Sequence, residues 1–452
     1  MKRYGWLLGC CLFLSIGMLW AADEPDLRML QQKAAQSRDM EGYVGVCKYL
    51  YQTEENPELL LLYADSIHQL ATKSKKPEQL VEYYIWASEG NFIKGDFQQG
   101  YALKRKAIAL AEKAGLKFAI SQSCCDMGYY CNVDARYDSA RYYFRKGLEA
   151  GEDLSEAGEA CRTMLTNYAS SFLFEGKTDS ALVYTIRASE RSAADKDTAM
   201  LIENLNQLGT IYRRKKNLEN CIANFEQALH LCELRGNHNA VAFIYGNIAT
   251  AYCDWNRPVD AIPFSEKAVE YALKTGNKRR IGTCYVNLGA IQIRLVQMRA
   301  EGIATLLKAI PILEEVNDRR LLCDAYNYLV NAYRMDGNLN QAMYYLQKLD
   351  KLAHEMQTDA ERFRYYQAKA GLLQESKNYT EAIVYYRRMI DMLRSGYKDT
   401  RDYEHYKRLA DCYLAVNNSS QAYEYLTQAY ALRDSAFHTE QTEQLSEYSV
   451  KY

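Results

Sequence analysis

The stretch of sequence that decides the fold runs from Asn206 to Cys232 and reads NQLGTIYRRKKNLENCIANFEQALHLC. Apolar residues recur at helical spacing on both sides of the polar run Arg213–Asn217, which predicts two amphipathic helices joined by a short turn. Gly209 lies in the middle of the first predicted helix, where a glycine costs about 1 kcal/mol relative to alanine. Because a residue without a Cβ atom lets a neighbouring helix approach closely, Gly209 predicts a helix contact at this point.

Small residues recur along the chain at steps of 40 or 41 residues, as from Ala169 to Gly209 (209 − 169 = 40). We call the following nine the small-residue positions, although one of them is a valine: Ser88, Gly128, Ala169, Gly209, Ala249, Gly289, Val330, Ala370 and Ala410. A second series keeps the same step on the following predicted helix: Gly100, Ala140, Ala181, Cys221, Ala261, Ala342, Ala382 and Ala422. An internal repeat of this length indicates a solenoid, in which stacked helix pairs bury apolar faces that one pair could not bury alone.

Candidate turn residues fall between the predicted helices at the same period. Gly95, Gly176, Asn217, Gly337 and Asn378 lie between the two helices of a repeat. We expect them to adopt the left-handed conformation that ends a helix, because glycine and asparagine tolerate it best.

The order of residues within one repeat resembles the tetratricopeptide repeat family. Asn287-Leu288-Gly289 and the run from Asn206 to Tyr212 are close to that family's signature, and the resemblance covers residues 80–435 and, more weakly, 26–80. The usual period of the family is about 34 residues, so the longer step predicts helices about one turn longer than usual and slightly longer turns between repeats. The resemblance implies an all-α fold, a right-handed α-α superhelix (a TPR-like solenoid) of about nine helix-turn-helix units of about 40 residues each.

The N-terminus has the pattern of a secretory signal peptide. Two basic residues precede an apolar run from Trp6 to Trp20, which is followed by Ala21 and Ala22. We expect cleavage after one of these alanines, and therefore export to the periplasm or beyond the cell. Lipidation at Cys10 and an uncleaved anchor stay open as alternatives. The predicted organisation has four segments: 1–22 signal peptide, 23–80 N-terminal helical cap with degenerate repeats, 81–435 TPR-like solenoid and 436–452 C-terminal helical tail.

Composition and motifs argue against several classes of function. The 452 residues carry a formal net charge of −1, and the two short basic clusters lie beside predicted turns, so we predict no nucleic-acid partner. The thirteen cysteines include neither a C-x-x-C motif nor a cluster with histidine at metal spacing, and Cys221 stands at a packing position. We therefore expect cysteines that behave as small buried hydrophobic residues, and we predict no metal and no cofactor.

The six histidines are scattered, and the sequence has no P-loop, nucleophile-elbow or H-E-x-x-H motif. We therefore predict a protein that is not an enzyme. An active site in the groove of the solenoid is a further hypothesis, which no constellation of residues supports.

The resemblance implies a concave groove lined by the first helix of each repeat. Residues flanking the small-residue positions are expected to face it: Asn167, Asn206, Arg213, Asn247, Asn287, Arg294, Asn327, Asn331 and Arg334. Asparagine offers hydrogen-bond donors and an acceptor to a peptide backbone, and arginine binds carboxylates. The sequence therefore predicts a protein or peptide partner in the groove. The alternative that some of these asparagines only satisfy neighbouring backbone groups stays open.

The segment from Asp434 to Tyr452, DSAFHTEQTEQLSEYSVKY, resembles a junction in periplasmic repeat sensors of Bacteroidetes-type bacteria. In those proteins a helix ending in Lys-Tyr leads to a membrane span and then to a histidine kinase or a helix-turn-helix regulator. The resemblance implies the periplasmic sensing region of a membrane-bound signalling protein, tethered through a C-terminal extension. A freestanding periplasmic scaffold or assembly factor is the alternative.

Overall fold

The computed structural model describes residues 27–53, 56–356, 358–397, 399 and 402–434, and the regular secondary structure in these ranges is helical. The predicted signal peptide (1–22, with Cys10) and C-terminal tail (436–452) lie outside the described residues. Within the described part of the chain, no helix combines the length and the apolar character needed to cross a membrane.

The chain divides into two compact units, residues 1–235 and 236–452, and the division falls inside the predicted solenoid. The helices of unit 1 are α1 (Leu27–Ser37), α2 (Met40–Thr53), α3 (Pro57–Ser74), α4 (Pro77–Lys94), α5 (Phe97–Ala114), α6 (Lys117–Val133), α7 (Tyr137–Gly151), α8 (Gly158–Phe174), α9 (Thr178–Ala194), α10 (Thr198–Arg214) and α11 (Leu218–Leu234). The predicted boundary at residue 80 falls inside α4.

The helices of unit 2 are α12 (His238–Asp254), α13 (Pro258–Thr275), α14 (Lys278–Gln292), α15 (Arg299–Glu315), α16 (Arg319–Met335), α17 (Leu339–Leu352), α18 (Asp359–Glu375), α19 (Tyr379–Arg394), α20 (Asp402–Ala415) and α21 (419–434). Short 3-10 turns precede α8 and α15 and follow α17.

Nine consecutive helix pairs of the described chain, from α4/α5 to α20/α21, each carry one small-residue position on their first helix. Within each unit, the two helices of a pair contact one another and each pair contacts the next. The predicted all-α fold of tetratricopeptide type, with about nine units, is confirmed. In unit 1, α10 and α11 have 17 residues each. The turns before and after α10, at 195–197 and 215–217, are three residues long, so longer helices account for the long repeat there.

The small-residue positions are where the first helix of a pair meets a large side chain of the second. A Cβ atom built on Gly209 would lie 2.5 Å from Cε1 of Phe225, and one on Gly289 would lie 2.7 Å from Cγ of Leu306. Gly128 faces the ring of Phe144 in the same way. Both phenylalanines are fully buried. The predicted helix contact at Gly209 is therefore confirmed.

The three-residue turns share two conformational features. The middle residue is left-handed, as at Lys216 (φ 55°) and Gly337 (φ 73°), and the third residue caps the next helix. The Oδ1 atom of Asn217 accepts a hydrogen bond from the Asn220 amide at 3.0 Å. The expectation that Asn217 and Asn378 are left-handed was wrong, because both are N-cap residues with φ of −104° and −87°.

The described cysteines are all free thiols, and all except the half-buried Cys253 are buried. Burial raises the pKa of the Cys124 and Cys232 thiols to about 12. Their predicted behaviour as small buried hydrophobic residues is confirmed. No group of three or more metal-ligating side chains comes together in the part of the chain that the structure covers.

One buried position of unit 1 holds a charge where three other repeats hold an aromatic ring, at Phe144, Phe225 and Tyr386. Lys104 of α5 is 0% exposed, and its Nζ atom pairs with Glu89 of α4 and, at 2.9 Å, with Asp126 of α6. Tyr130 donates a hydrogen bond to Glu89 at 2.7 Å. The attraction of both carboxylates outweighs burial and raises the pKa of Lys104, while burial raises the pKa of Glu89. The network satisfies the buried charges, as low-dielectric surroundings require.

Candidate functional site

A cavity of about 1110 Å³ opens along the first helices of unit 2. Its lining includes Asn287 of α14, Tyr328 of α16 and Arg408 of α20, which all stand two residues before a small-residue position. Thr250 of α12 and Gly371 of α18 stand one residue after such a position and line it as well. The repeat therefore places equivalent side chains of successive helices on one surface, which we call the unit-2 groove.

Four of the predicted groove residues lie together in this cavity: Asn287, Arg294, Asn331 and Arg334. Asn287 and Arg294 are exposed, and the other two are half-buried. Asn331 is held in place by its neighbour one turn earlier, because its Nδ2 atom donates to the backbone oxygen and to Oδ1 of Asn327, both at 3.0 Å. The amide oxygen of Asn331 therefore has a fixed direction.

The structure places the remaining predicted residues elsewhere. Asn327 is 7% exposed and does not line the cavity, so it orients Asn331 instead. Asn247 is half-buried on α12 and is also absent from the lining. Asn167, Asn206 and Arg213 are half-buried on α8 and α10 of unit 1. The backbone oxygen of Asn167 accepts a hydrogen bond from Asn132 Nδ2 at 2.9 Å.

The arginines along the groove differ in their partners. Arg334 pairs with Glu375, whereas Arg364, which does not line the cavity, pairs with Asp324 at 2.8 Å. Arg294 and Arg408 form no ion pair with an acidic side chain within the described residues. Burial raises the pKa of Asp324, and the nearby arginines offset part of that rise. The cavity lining thus holds one arginine that is paired with a carboxylate and two that have no carboxylate partner in the described part of the chain.

Tyr386 reaches the groove from a second helix, α19. It is 1% exposed, and its hydroxyl donates a hydrogen bond to Gln374 Oε1 at 2.7 Å. Burial raises the pKa of Tyr386 to about 12, and the positive charge of Arg408 opposes that rise. Because the tyrosine stays neutral, it serves as a hydrogen-bonding group beside the arginine at physiological pH.

Sequence reasoning missed several groove residues, among them Arg408, Tyr386 and Gly371. Arg408 stands where Asn287 stands in its own repeat, so extending the repeat count to α20 would have identified it. Tyr386 occupies the position that holds the buried Phe144 and Phe225 in two other repeats, which is typical of a core residue. Gly371 follows Ala370 directly, and nothing in the sequence signals that a missing side chain there leaves space beside Arg334.

Comparison with known proteins agrees with this fold. The tetratricopeptide repeat family matches residues 200–274, which span α10 to α13 apart from the first two residues of α10 and the last residue of α13. No curated protein matched the sequence. Together with the nine helix pairs, the family match makes the chain a tetratricopeptide-repeat protein.

Three solved structures illustrate the likeness. A Signal Transduction ATPase with Numerous Domains (STAND) protein with a tetratricopeptide repeat sensor, from Pyrococcus horikoshii, is 15% identical, with 86% of this chain and 55% of that chain covered and a TM-score of 0.53. This chain thus spans about half of that longer protein. The quorum sensor NprR from B. thuringiensis is 15% identical over 77% of this chain and 97% of that chain, with a TM-score of 0.50. A tetratricopeptide repeat protein from Parabacteroides merdae is 15% identical over 64% of this chain and 98% of that chain, with a TM-score of 0.46.

Proposed function

We propose that this chain is an exported, non-enzymatic binding module that holds an extended protein or peptide segment in the unit-2 groove. The observation that carries the proposal is the cavity of about 1110 Å³ lined by amides and guanidinium groups on a framework of packed helices. Asn287 is exposed there and can bond to a peptide backbone, while Asn331 is oriented by Asn327. Polar groups held by rigid elements favour binding because little side-chain freedom is lost.

The ionisable groups of the groove also suit binding better than proton transfer. Arg334 is paired with Glu375, and burial holds the pKa of Tyr386 at about 12. A general acid or base works best with a pKa near the operating pH. Arginine instead supplies fixed hydrogen-bond donors, which is what recognition of a segment requires.

We further propose that the module is the periplasmic sensing region of a membrane-bound signalling protein, either a histidine kinase or a helix-turn-helix regulator. The signal-peptide pattern of residues 1–22 supports export, and the resemblance of 434–452 to sensor junctions supports the signalling context. The fold is shared with proteins described as sensors, the STAND protein and NprR. A freestanding periplasmic scaffold is the alternative.

Site-specific photo-cross-linking in the source cell tests the binding function. A photo-reactive residue at Asn287 should give a discrete adduct with a partner protein, because that side chain is exposed in the groove. The control position is Val259 on α13, which is 62% exposed and does not line the cavity. Adducts of equal yield from both positions, or none from Asn287, would contradict binding in the groove.

Intact mass and membrane fractionation of the native polypeptide test the signalling context. The sensor proposal predicts a polypeptide longer than 452 residues that is retained in the membrane fraction. A product that ends at Tyr452 and fractionates away from membranes would exclude the sensor and leave the scaffold.

A further inference from the structure

We propose that the unit-2 groove contains an anion subsite, formed by Arg334, Tyr386 and Arg408, that takes a carboxylate of the bound segment. The inference rests on the proposed binding function of the groove and names the chemistry that the groove selects. We call these three residues, with the backbone at Gly371, the anion subsite.

Four helices bring the subsite together. Arg334 comes from α16, Gly371 from α18, Tyr386 from α19 and Arg408 from α20, and all four residues line the same cavity. The positive charges of Arg408 and Arg334 both lower the pKa of the Tyr386 hydroxyl, so both guanidinium groups lie near it. The proton of that hydroxyl is donated to Gln374. The two guanidinium groups therefore supply the donors that a carboxylate accepts.

Arg408 is the guanidinium of the subsite that forms no ion pair with a described carboxylate. Acidic groups near Arg408 are Glu404 and Glu375, and neither forms an ion pair with it. Glu375 is already committed to Arg334. The neighbouring His405 is 3% exposed, and its Nε2 atom lies 3.4 Å from Oδ2 of Asp399. The carboxylate of Asp399 therefore contacts the histidine. An incoming anion would thus meet one guanidinium that has no carboxylate partner.

The subsite also has space and a spare donor. A Cβ atom on Gly371 would lie 3.6 Å from Cζ of Arg334, so the glycine leaves room where a longer side chain would cover the guanidinium. The Nε atom of Arg334 is buried and has no hydrogen-bond partner among the described residues. A buried donor without a partner is unfavourable, and a bound carboxylate would relieve it.

Removing the charge of Glu375 and removing the charge of Arg408 are expected to change carboxylate binding in opposite directions. Its carboxylate is 39% exposed and occupies Arg334 in the unliganded groove. A carboxylate from the partner would compete with it for the same guanidinium. Removing the charge of Glu375 should therefore strengthen binding of an acidic segment, whereas removing the charge of Arg408 should weaken it.

The probes are three dye-labelled peptides followed by fluorescence anisotropy. Acetyl-GEGEGEG-amide carries side-chain carboxylates, acetyl-GQGQGQG-amide carries none, and acetyl-GQGQGQG with a free C-terminus carries one terminal carboxylate. The protein variants are Arg408→Gln, Glu375→Gln and, as the control, Lys407→Gln. Lys407 is exposed on the same helix and does not line the cavity. Thermal unfolding of each variant confirms that it is folded.

We expect the parent protein to bind the glutamate peptide at least about tenfold more tightly than its glutamine counterpart, as charge-assisted hydrogen bonds predict. Arg408→Gln should remove that preference, Glu375→Gln should increase it up to about fivefold, and Lys407→Gln should preserve it. Preference for the free C-terminus over the glutamate peptide would assign the subsite to a terminal carboxylate, which still supports it.

Three results would overturn the anion subsite. They are no saturable binding of either carboxylate peptide, equal binding by the parent and Arg408→Gln, and equal losses in Arg408→Gln and Lys407→Gln. Displacement by inorganic phosphate without any preference between the peptides would overturn the assignment to a carboxylate. In each case the adduct at Asn287 is read separately, so the binding function can stand while the subsite fails.

Discussion

Lys104 in unit 1 and Tyr386 in unit 2 occupy the same place in the repeat but end in different surroundings. Each follows the small residue of its second helix by four positions (104 − 100 = 4 and 386 − 382 = 4). Each is almost completely buried, with exposures of 0% and 1%, and each carries a polar tip through the core. The tip of Lys104 is enclosed by Glu89 and Asp126, whereas the hydroxyl of Tyr386 lines an open cavity.

The residues beside Lys104 and Tyr386, Asp126 and Arg408, also occupy equivalent positions in the repeat. Asp126 stands two residues before its small-residue position in α6, and Arg408 does so in α20. In unit 1 that place holds a carboxylate that neutralises Lys104, and in unit 2 it holds an arginine that tyrosine cannot neutralise. The comparison shows that the repeat determines where a side chain lies. The type of side chain then determines whether its charge is neutralised inside the protein or remains able to bind a partner.

The largest effect on the free energy of unfolding is expected at the buried ion-pair network of Lys104 in unit 1. Lys104→Met should destabilise the protein by about 3–5 kcal/mol, because Glu89 would remain buried without its cation. Urea unfolding at neutral pH measures the loss. Lys106→Met is the matched control, since Lys106 is exposed on the same helix and should change the free energy of unfolding by less than about 0.5 kcal/mol. Equal curves for the two variants would break the comparison.

The next effect concerns the shared contact on which both units are built. Gly209→Leu and Gly289→Leu should each destabilise by about 1–3 kcal/mol through overpacking against Phe225 and Leu306. Alanine gives a matched pair: Gly209→Ala should lower stability, whereas Gly246→Ala should raise it by about 0.5–1 kcal/mol. A Cβ atom on Gly246 would meet nothing within 4 Å. Thermal and urea unfolding decide, and a gain at both sites would contradict the packing account.

A third prediction concerns a buried carboxyl group of unit 1. Burial raises the pKa of Glu203 on α10 to about 7, from a value of 4.5. The folded protein therefore holds this proton more tightly, so stability from Glu203 is present below pH 4.5 and is lost as the pH rises to about 7. Glu203→Gln should match the parent near pH 4.5 and exceed it by about 1–3 kcal/mol at pH 8. Parallel pH profiles from urea unfolding would refute this.

The smallest effect is expected at the tip of Tyr386. Tyr386→Phe removes the hydrogen bond to Gln374 but keeps the ring, so a loss of about 0.5–1.5 kcal/mol is expected in thermal unfolding. Tyr345 is also buried in unit 2, and its ring stacks on Tyr333. Tyr345→Phe is therefore the control and should be close to neutral. Equal changes in both variants would mean that the Tyr386 hydroxyl does not stabilise unit 2.

The sequence predicted the fold well because its signal is local and repeated. Gly209 and Gly289 mark close helix contacts, and such contacts must recur whenever the same helix pair is stacked. Turn conformations were harder to predict. Lys216 takes the left-handed place in spite of its side chain because Asn217 is needed to cap the next helix. Two local preferences compete there, and the capping hydrogen bond decides which residue serves which role.

The groove was predicted only in part, for geometric reasons. Asn287 lines it and stands two residues before a small-residue position, whereas Asn327 does not line it and stands three residues before one. This step of one residue turns a side chain by about 100° around the helix axis. Tyr386 could not be predicted because a tyrosine in a core position gives no sign of whether its hydroxyl ends in a cavity. That outcome depends on Gly371 and Arg408, which come from two other helices.

The most direct test of the account exchanges the residue that distinguishes the two units. Arg408→Asp gives unit 2 the residue that unit 1 holds at Asp126, and Lys407→Asp makes the same substitution one residue away. The measurement is the yield of partner cross-linked through Asn287 in the source cell, for folded protein at equal abundance. The account predicts that Arg408→Asp loses the adduct and that Lys407→Asp retains it. An undiminished adduct in Arg408→Asp would contradict the claim that this place in unit 2 binds the partner.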